Sequence, residues 1–135
     1  MLGSSNEKRK HTRLPIAIKA EIQLENGKIC PGVTRNISFS GILAEIQKAE
    51  NVQLGDLCNL TIFLADGQKE PSIEFECKVV RKEKAEIGFK YIAIIDVESY
   101  MHFKNLMVSN SKESAKLIEE LKSNPGIIID HDFKL

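Results

Sequence analysis

Tryptophan is absent from this chain of 135 residues, and its aromatic side chains are limited to six Phe and two Tyr. Proteins that hold single-stranded nucleic acid stack bases on surface aromatics inside a basic groove. Neither ingredient is plentiful: Lys and Arg total 19, Asp and Glu total 19, and the formal net charge is zero. This balance argues against general nucleic-acid binding and requires any anion site to be local. Long hydrophobic runs are missing too. The longest comparable stretch, Ile92-Ala93-Ile94-Ile95, falls far short of the roughly 18–20 residues that cross a bilayer. Residues 1–11 are polar and charged and contain no apolar segment of a secretory signal. A soluble, cytoplasmic protein without membrane association is expected.

Cysteine is scarce. Cys30, Cys58 and Cys77 are odd in number, widely spaced and without a CxxC pair, which predicts buried reduced thiols rather than a disulfide framework. No base lies near any of them in sequence to activate a nucleophile. The chain contains no Gly-rich phosphate loop, nucleophile elbow or HExxH. His11, His102 and His131 are far apart, and Asp130-His131-Asp132 sits at the chain end, where a frayed acidic tail is expected rather than a metal centre. Neither an enzyme nor a metal or cofactor protein is expected.

What the sequence does contain is strand periodicity. Ile16, Ile18, Ala20, Ile22 and Leu24 alternate with Ala17, Lys19, Glu21 and Gln23, the pattern of a half-buried strand. Asn26-Gly27 then predicts a tight type I′ hairpin turn. The return strand is expected over residues 28–35, disturbed at Pro31-Gly32. A turn at Asn36–Gly41 and a strand at Ile42–Ile46 follow. Residues 47–56 read as a loop, and Leu57–Leu64 as a strand closed by Asp66-Gly67. Two more strands carry Ile73, Phe75, Cys77 and Val79, then Ile87, Phe89 and Tyr91. Six short strands with hairpin signals predict a mostly β protein, a six-stranded antiparallel barrel.

A helix is expected next. Asp96 is its N-cap, and Val97, Tyr100, Met101, Leu106 and Val108 form its apolar face over one mouth of the barrel. A second helical segment spans about 112–122, with Ala115, Leu117, Ile118 and Leu121 as a narrow apolar stripe, and Asn124-Pro125-Gly126 ends it. The expected organisation is a flexible leader at 1–8, a barrel domain with its flanking helix at 9–108, and a C-terminal helical extension and tail at 109–135.

Two local patterns carry chemistry. Lys8-Arg9-Lys10-His11-Thr12-Arg13 holds two arginines four apart, and Pro15 keeps the segment out of a helix. Guanidinium forks grip phosphate bidentately, read the O6/N7 edge of guanine and stack on base faces. The second pattern is Asn36-Ile37-Ser38-Phe39-Ser40-Gly41. Alternation sends Asn36 and Ser38 to one side and Ile37 and Phe39 to the other. Gly41 permits a positive φ or a close approach. Taken alone, the first is an ordinary solvated basic run and the second an ordinary turn.

Together, an RxxxR at the entrance to a six-stranded barrel and an [D/N]xSxxG after the first hairpin resemble the PilZ family. The resemblance covers about residues 8–108 and extends to Glu86-Ile87-Gly88-Phe89-Lys90-Tyr91, which is similar to the family's late barrel strand. It implies a receptor for cyclic di-GMP that changes conformation on binding and signals to a downstream protein partner. By the same resemblance, Arg9 and Arg13 would grip guanine and phosphate, Asn36 and Ser38 would hydrogen-bond guanine, and Gly41 would leave room for the ligand. Lys8 is a candidate for holding a second ligand molecule, and Arg35 for lining the same face. Arg81 is left out as an ordinary strand arginine. The alternative is a nucleotide-independent adaptor of the same fold. The extension at 109–135 is expected to pack on its own barrel, form a homodimer or dock a partner, so the chain is expected to be a monomer or a homodimer.

Overall fold

The computed structural model describes residues 12–65, 68, 71–111, 115 and 119. The first hairpin pairs β1 (Lys19–Leu24) with β2 (Ile29–Ile37), Ile22 lying opposite Cys30. Its turn differs from the expected type I′. Between Leu24 and Lys28 only Gly27 has a positive φ, 89°, and its N–H donates to Leu24 O at 2.9 Å. Leu24 N–H in turn donates to Lys28 O at 2.9 Å, while Asn26 Oδ1 accepts from Lys28 N–H at 2.9 Å. This is a three-residue loop with glycine in the left-handed position. Asn26 stays at negative φ because its carboxamide is used to hold the backbone.

β2 runs through Pro31 without breaking. The side of Pro31 that lacks an N–H faces the end of the next strand, where its carbonyl accepts from Gln47 N–H at 2.9 Å. The irregularity lies instead between Thr34 and Asn36, a bulge in the pairing of β2 with β3 (Gly41–Ile46). A short 3-10 turn at Ala49–Asn51 precedes β4 (Leu57–Phe63), β5 (Ser72–Glu83) and β6 (Glu86–Ile94). The six strands close in the order β1-β2-β3-β6-β5-β4, with every neighbouring pair antiparallel. Closure pairs both edges of what would otherwise be an open sheet. The predicted fold class is therefore observed.

Inward residues follow the period of two: Ala20, Ile22 and Leu24 on β1, Leu60 and Ile62 on β4, and Ile73, Phe75, Cys77 and Val79 on β5 are all buried. The three cysteines are free and buried.

Helix α1 (Val97–Ser109) covers one mouth and packs on β5 and β6. Asp96 caps it as predicted, its carboxylate accepting from Ser99 N–H at 2.7 Å. The predicted apolar face needs correction. The buried positions are Ser99, Phe103 and Met107, whereas Met101 is 50% exposed; Tyr100 and Leu106 flank the core. The cap sets the helical phase, and Ser99 Oγ accepts Glu74 N–H of β5 at 3.3 Å. That contact turns the stripe at 99, 103 and 107 inward. Phe103 meets Phe39, Phe75 and Tyr91 edge-on at centroid distances of 5.3, 5.1 and 5.5 Å.

Among the described residues, no helix is long and apolar enough to cross a membrane. The leader, the Asp66-Gly67 turn, the tail and most of the second helical segment lie outside the described residues. Within that segment Ala115 and Glu119 are helical and exposed.

Candidate functional site

The segment before β1 is pinned to β2. Leu14 forms a two-way bridge with Ile37, N–H to carbonyl at 2.8 Å and 2.9 Å. Thr34 fixes the next residues: its Oγ1 accepts from Ile18 N–H at 3.0 Å and donates to Ile16 O at 2.5 Å. Leu14 and Ile16 are thereby buried, and the antiparallel bridge brings Arg13 beside Ser38. Arg13 emerges on the outer surface of the barrel.

The β2–β3 connection is held by one hydroxyl. Ser38 Oγ accepts from Ser40 N–H at 3.1 Å and from Gly41 N–H at 3.2 Å, and lies 3.1 Å from Ser40 Oγ. Ser38 N–H donates to Gly41 O at 2.9 Å. Ser38 is therefore buried and organises the turn itself. Gly41 is required by packing, since a Cβ there would lie 2.2 Å from Phe89 O of β6. The bulge after Thr34 lets Arg35 and Asn36 both reach the outside before Ile37 returns to the core.

These pieces line one groove of about 280 Å³, walled by Arg13, Asn36, Ser38, Ser40, Gly41, Ile42 and Leu43 on one side and by Val80, Arg81, Gly88, Phe89 and Lys90 on the other. Of the residues predicted from sequence, Arg13, Asn36, Ser38 and Gly41 come together there. Arg35 is placed elsewhere: its guanidinium sits 3.6 Å from both Glu45 and Glu86. Those two glutamates are cross-strand partners on β3 and β6, and the arginine offsets their repulsion. Lys8 and Arg9 lie outside the described residues.

Sequence reasoning missed Ser40, Val80, Arg81 and Lys90. One signal was available for Arg81: Val79-Val80 breaks the alternation of β5 just before it. Three cations, Arg13, Arg81 and Lys90, and the small polar groups of Asn36, Ser38 and Ser40 thus surround one groove. That set suits an anion that also offers hydrogen-bonding edges. Among the described residues, no three His, Cys, Asp or Glu side chains come together as a metal site.

The comparisons agree with this architecture. The PilZ domain of CeSA from a cellulose synthesizing bacterium is 19% identical, with a TM-score of 0.55, covering 70% of this chain and 93% of that one. The Bacillus subtilis inhibitor of motility MotI/DgrA is 20% identical with a TM-score of 0.56, covering 87% of this chain and 52% of that one. The PilZ domain with c-di-GMP of YcgR from Escherichia coli is 11% identical with a TM-score of 0.61, covering 83% of this chain and 98% of that one. At these identities the likeness shows the fold. No curated protein matches the sequence. The profile described as PilZ domain, however, matches residues 7–109, most of the chain, and the protein belongs to the PilZ domain family.

Proposed function

We propose that this protein is a cytoplasmic receptor that binds cyclic di-GMP in the groove between the Arg13 segment and β6, and passes the signal to a protein partner. The observation that supports the reading is the meeting of Arg13, the last residue of the first motif, with the second motif in one groove: the Leu14–Ile37 bridge brings Arg13 alongside Asn36, Ser38 and Gly41. The c-di-GMP bound by the PilZ domain of Escherichia coli YcgR supports the choice of ligand. Three free, buried thiols fit a reducing compartment.

Arg9 and Arg13 grip phosphate and guanine from the N-terminal side, and Asn36 offers a carboxamide to a guanine edge. Ser38 acts mainly by holding the turn, because its oxygen already accepts two backbone N–H groups. Engagement of the ligand by the Arg9–Arg13 segment changes the surface that a partner meets. Charge-assisted hydrogen bonds contribute roughly 1.5–3 kcal/mol each. Several of these, less the cost of association, leave about −8 kcal/mol, or roughly micromolar binding.

Calorimetric titration with cyclic di-GMP tests the reading. Saturable binding that weakens with salt and disappears in Arg9→Ala/Arg13→Ala is the expected result. A folded wild-type protein that binds nothing would overturn it in favour of a nucleotide-independent adaptor.

A further inference from the structure

The geometry points to Arg81 as a further ligand-binding residue, supplied by β5, that takes a phosphate of the cyclic dinucleotide together with Lys90 and is held by Glu83 while the groove is empty. The inference rests on the receptor reading above and deepens it.

Alternation along β5 buries Ile73, Phe75, Cys77 and Val79. Continued regularly, it would send residue 81 into the core, where an unpaired guanidinium is strongly unfavourable. A bulge between Val79 and Arg81 prevents this. The extra residue, Val80, leaves both Val80 and Arg81 exposed on the outer face, and both line the groove. Bulges beside functional sites commonly re-aim a side chain in this way.

A second feature makes room for the arginine. Its register partner on β6 is Gly88, which is buried. A Cβ at Gly88 would lie 2.9 Å from Arg81 Cβ and 3.8 Å from Arg81 Cδ. The arginine stem therefore occupies the space a side chain would fill, and crosses β6 towards the groove. Gly88 pairs with Leu43 on its other side, and Lys90 pairs with Gly41. Arg81 and Lys90 thus face the motif residues of β2 and β3 across the groove.

The charges at this wall favour an anion. Lys90 stands directly opposite Lys78 on β5, and like charges so placed repel. Arg81 has Glu83 as its ion-pair partner at 3.5 Å, with both side chains more than half exposed. Such a surface pair is weak and readily exchanged, whereas a doubly anchored phosphate accepts both prongs of a guanidinium. A two-phosphate ligand can therefore be held by Arg13 on one wall and by Arg81 with Lys90 on the other.

Calorimetric titration with cyclic di-GMP on wild type, Arg81→Ala, Glu83→Gln and the double variant decides the matter. Arg81→Ala is expected to weaken binding by about tenfold and to reduce its salt dependence, with the melting temperature unchanged because the side chain lies outside the core. Glu83→Gln is expected to tighten binding about twofold where Arg81 is present and to do nothing in its absence. Wild-type binding with Arg81→Ala within twofold of it would overturn this assignment alone. Absence of binding by wild type would overturn the receptor reading and this assignment with it.

Discussion

Gly41 shows how one motif position serves the scaffold before any ligand arrives. Its place opposite Lys90 brings β3 so close to β6 that a methyl group would sit 2.2 Å from the Phe89 carbonyl. Backbone cannot yield as a flexible side chain can, so Gly41→Ala must push two central strands apart. The expected cost is about 1–3 kcal/mol, read as a lower urea midpoint with an unchanged slope. Loss of ligand affinity in that variant would follow from the displaced strand. Ser38 belongs to the same class, because its hydroxyl holds the turn that carries Asn36 and Gly41. Both motif positions stood out in the sequence. Their mechanical roles did not, because these depend on an oxygen of β6 and on the path of the turn.

At the scale of elements, α1 separates what periodicity can and cannot tell. The helix and its Asp96 cap were legible, since capping is local chemistry. Its inward face was misassigned, because Val97, Tyr100, Met101, Leu106 and Val108 make an equally apolar surface in sequence. The Ser99–Glu74 hydrogen bond and the ring cluster around Phe103 decide which side faces in. Phe103→Ala is accordingly expected to destabilise by about 3–5 kcal/mol, and Met101→Ala by less than about 0.5 kcal/mol. Chemical denaturation of the two variants checks the order; equal effects would contradict the packing. The strands behave alike. Alternation located all six, but the bulges that turn Asn36 and Arg81 outward are properties of paired strands and appear only in the ladder.

For the whole molecule, barrel closure produces an interior that holds ionisable groups neutral. Burial, with Asp56 adding to it, pushes the Cys58 thiol from the usual 9.0 up to about 12. Burial raises the Cys77 thiol and the Tyr91 hydroxyl in the same direction. In the unfolded chain these acids ionise at their ordinary values, whereas in the folded one they resist. Their contribution to stability is thus intact below about pH 9 and is lost progressively as pH rises towards about 12. Urea midpoints should fall between neutral pH and about pH 10, and the fall should be smaller in Cys58→Ala. A midpoint constant over that range would show that these groups ionise without opening the barrel.

The sequence by itself determined the short-range features: the period of two, the position of the Asn26-Gly27 turn though not its type, the helix cap, and the two motifs that identify the family. These follow from neighbours within a few residues, where backbone propensity and side-chain direction act. Tertiary structure alone decided which groups share the groove. Arg35 and Arg81 look equivalent along the chain, yet one bridges Glu45 and Glu86 while the other lines the groove that also holds Asn36 and Ser38. Strand order and bulge position separate them, because closing the barrel brings β6 between β3 and β5 and sets distances that no local pattern encodes.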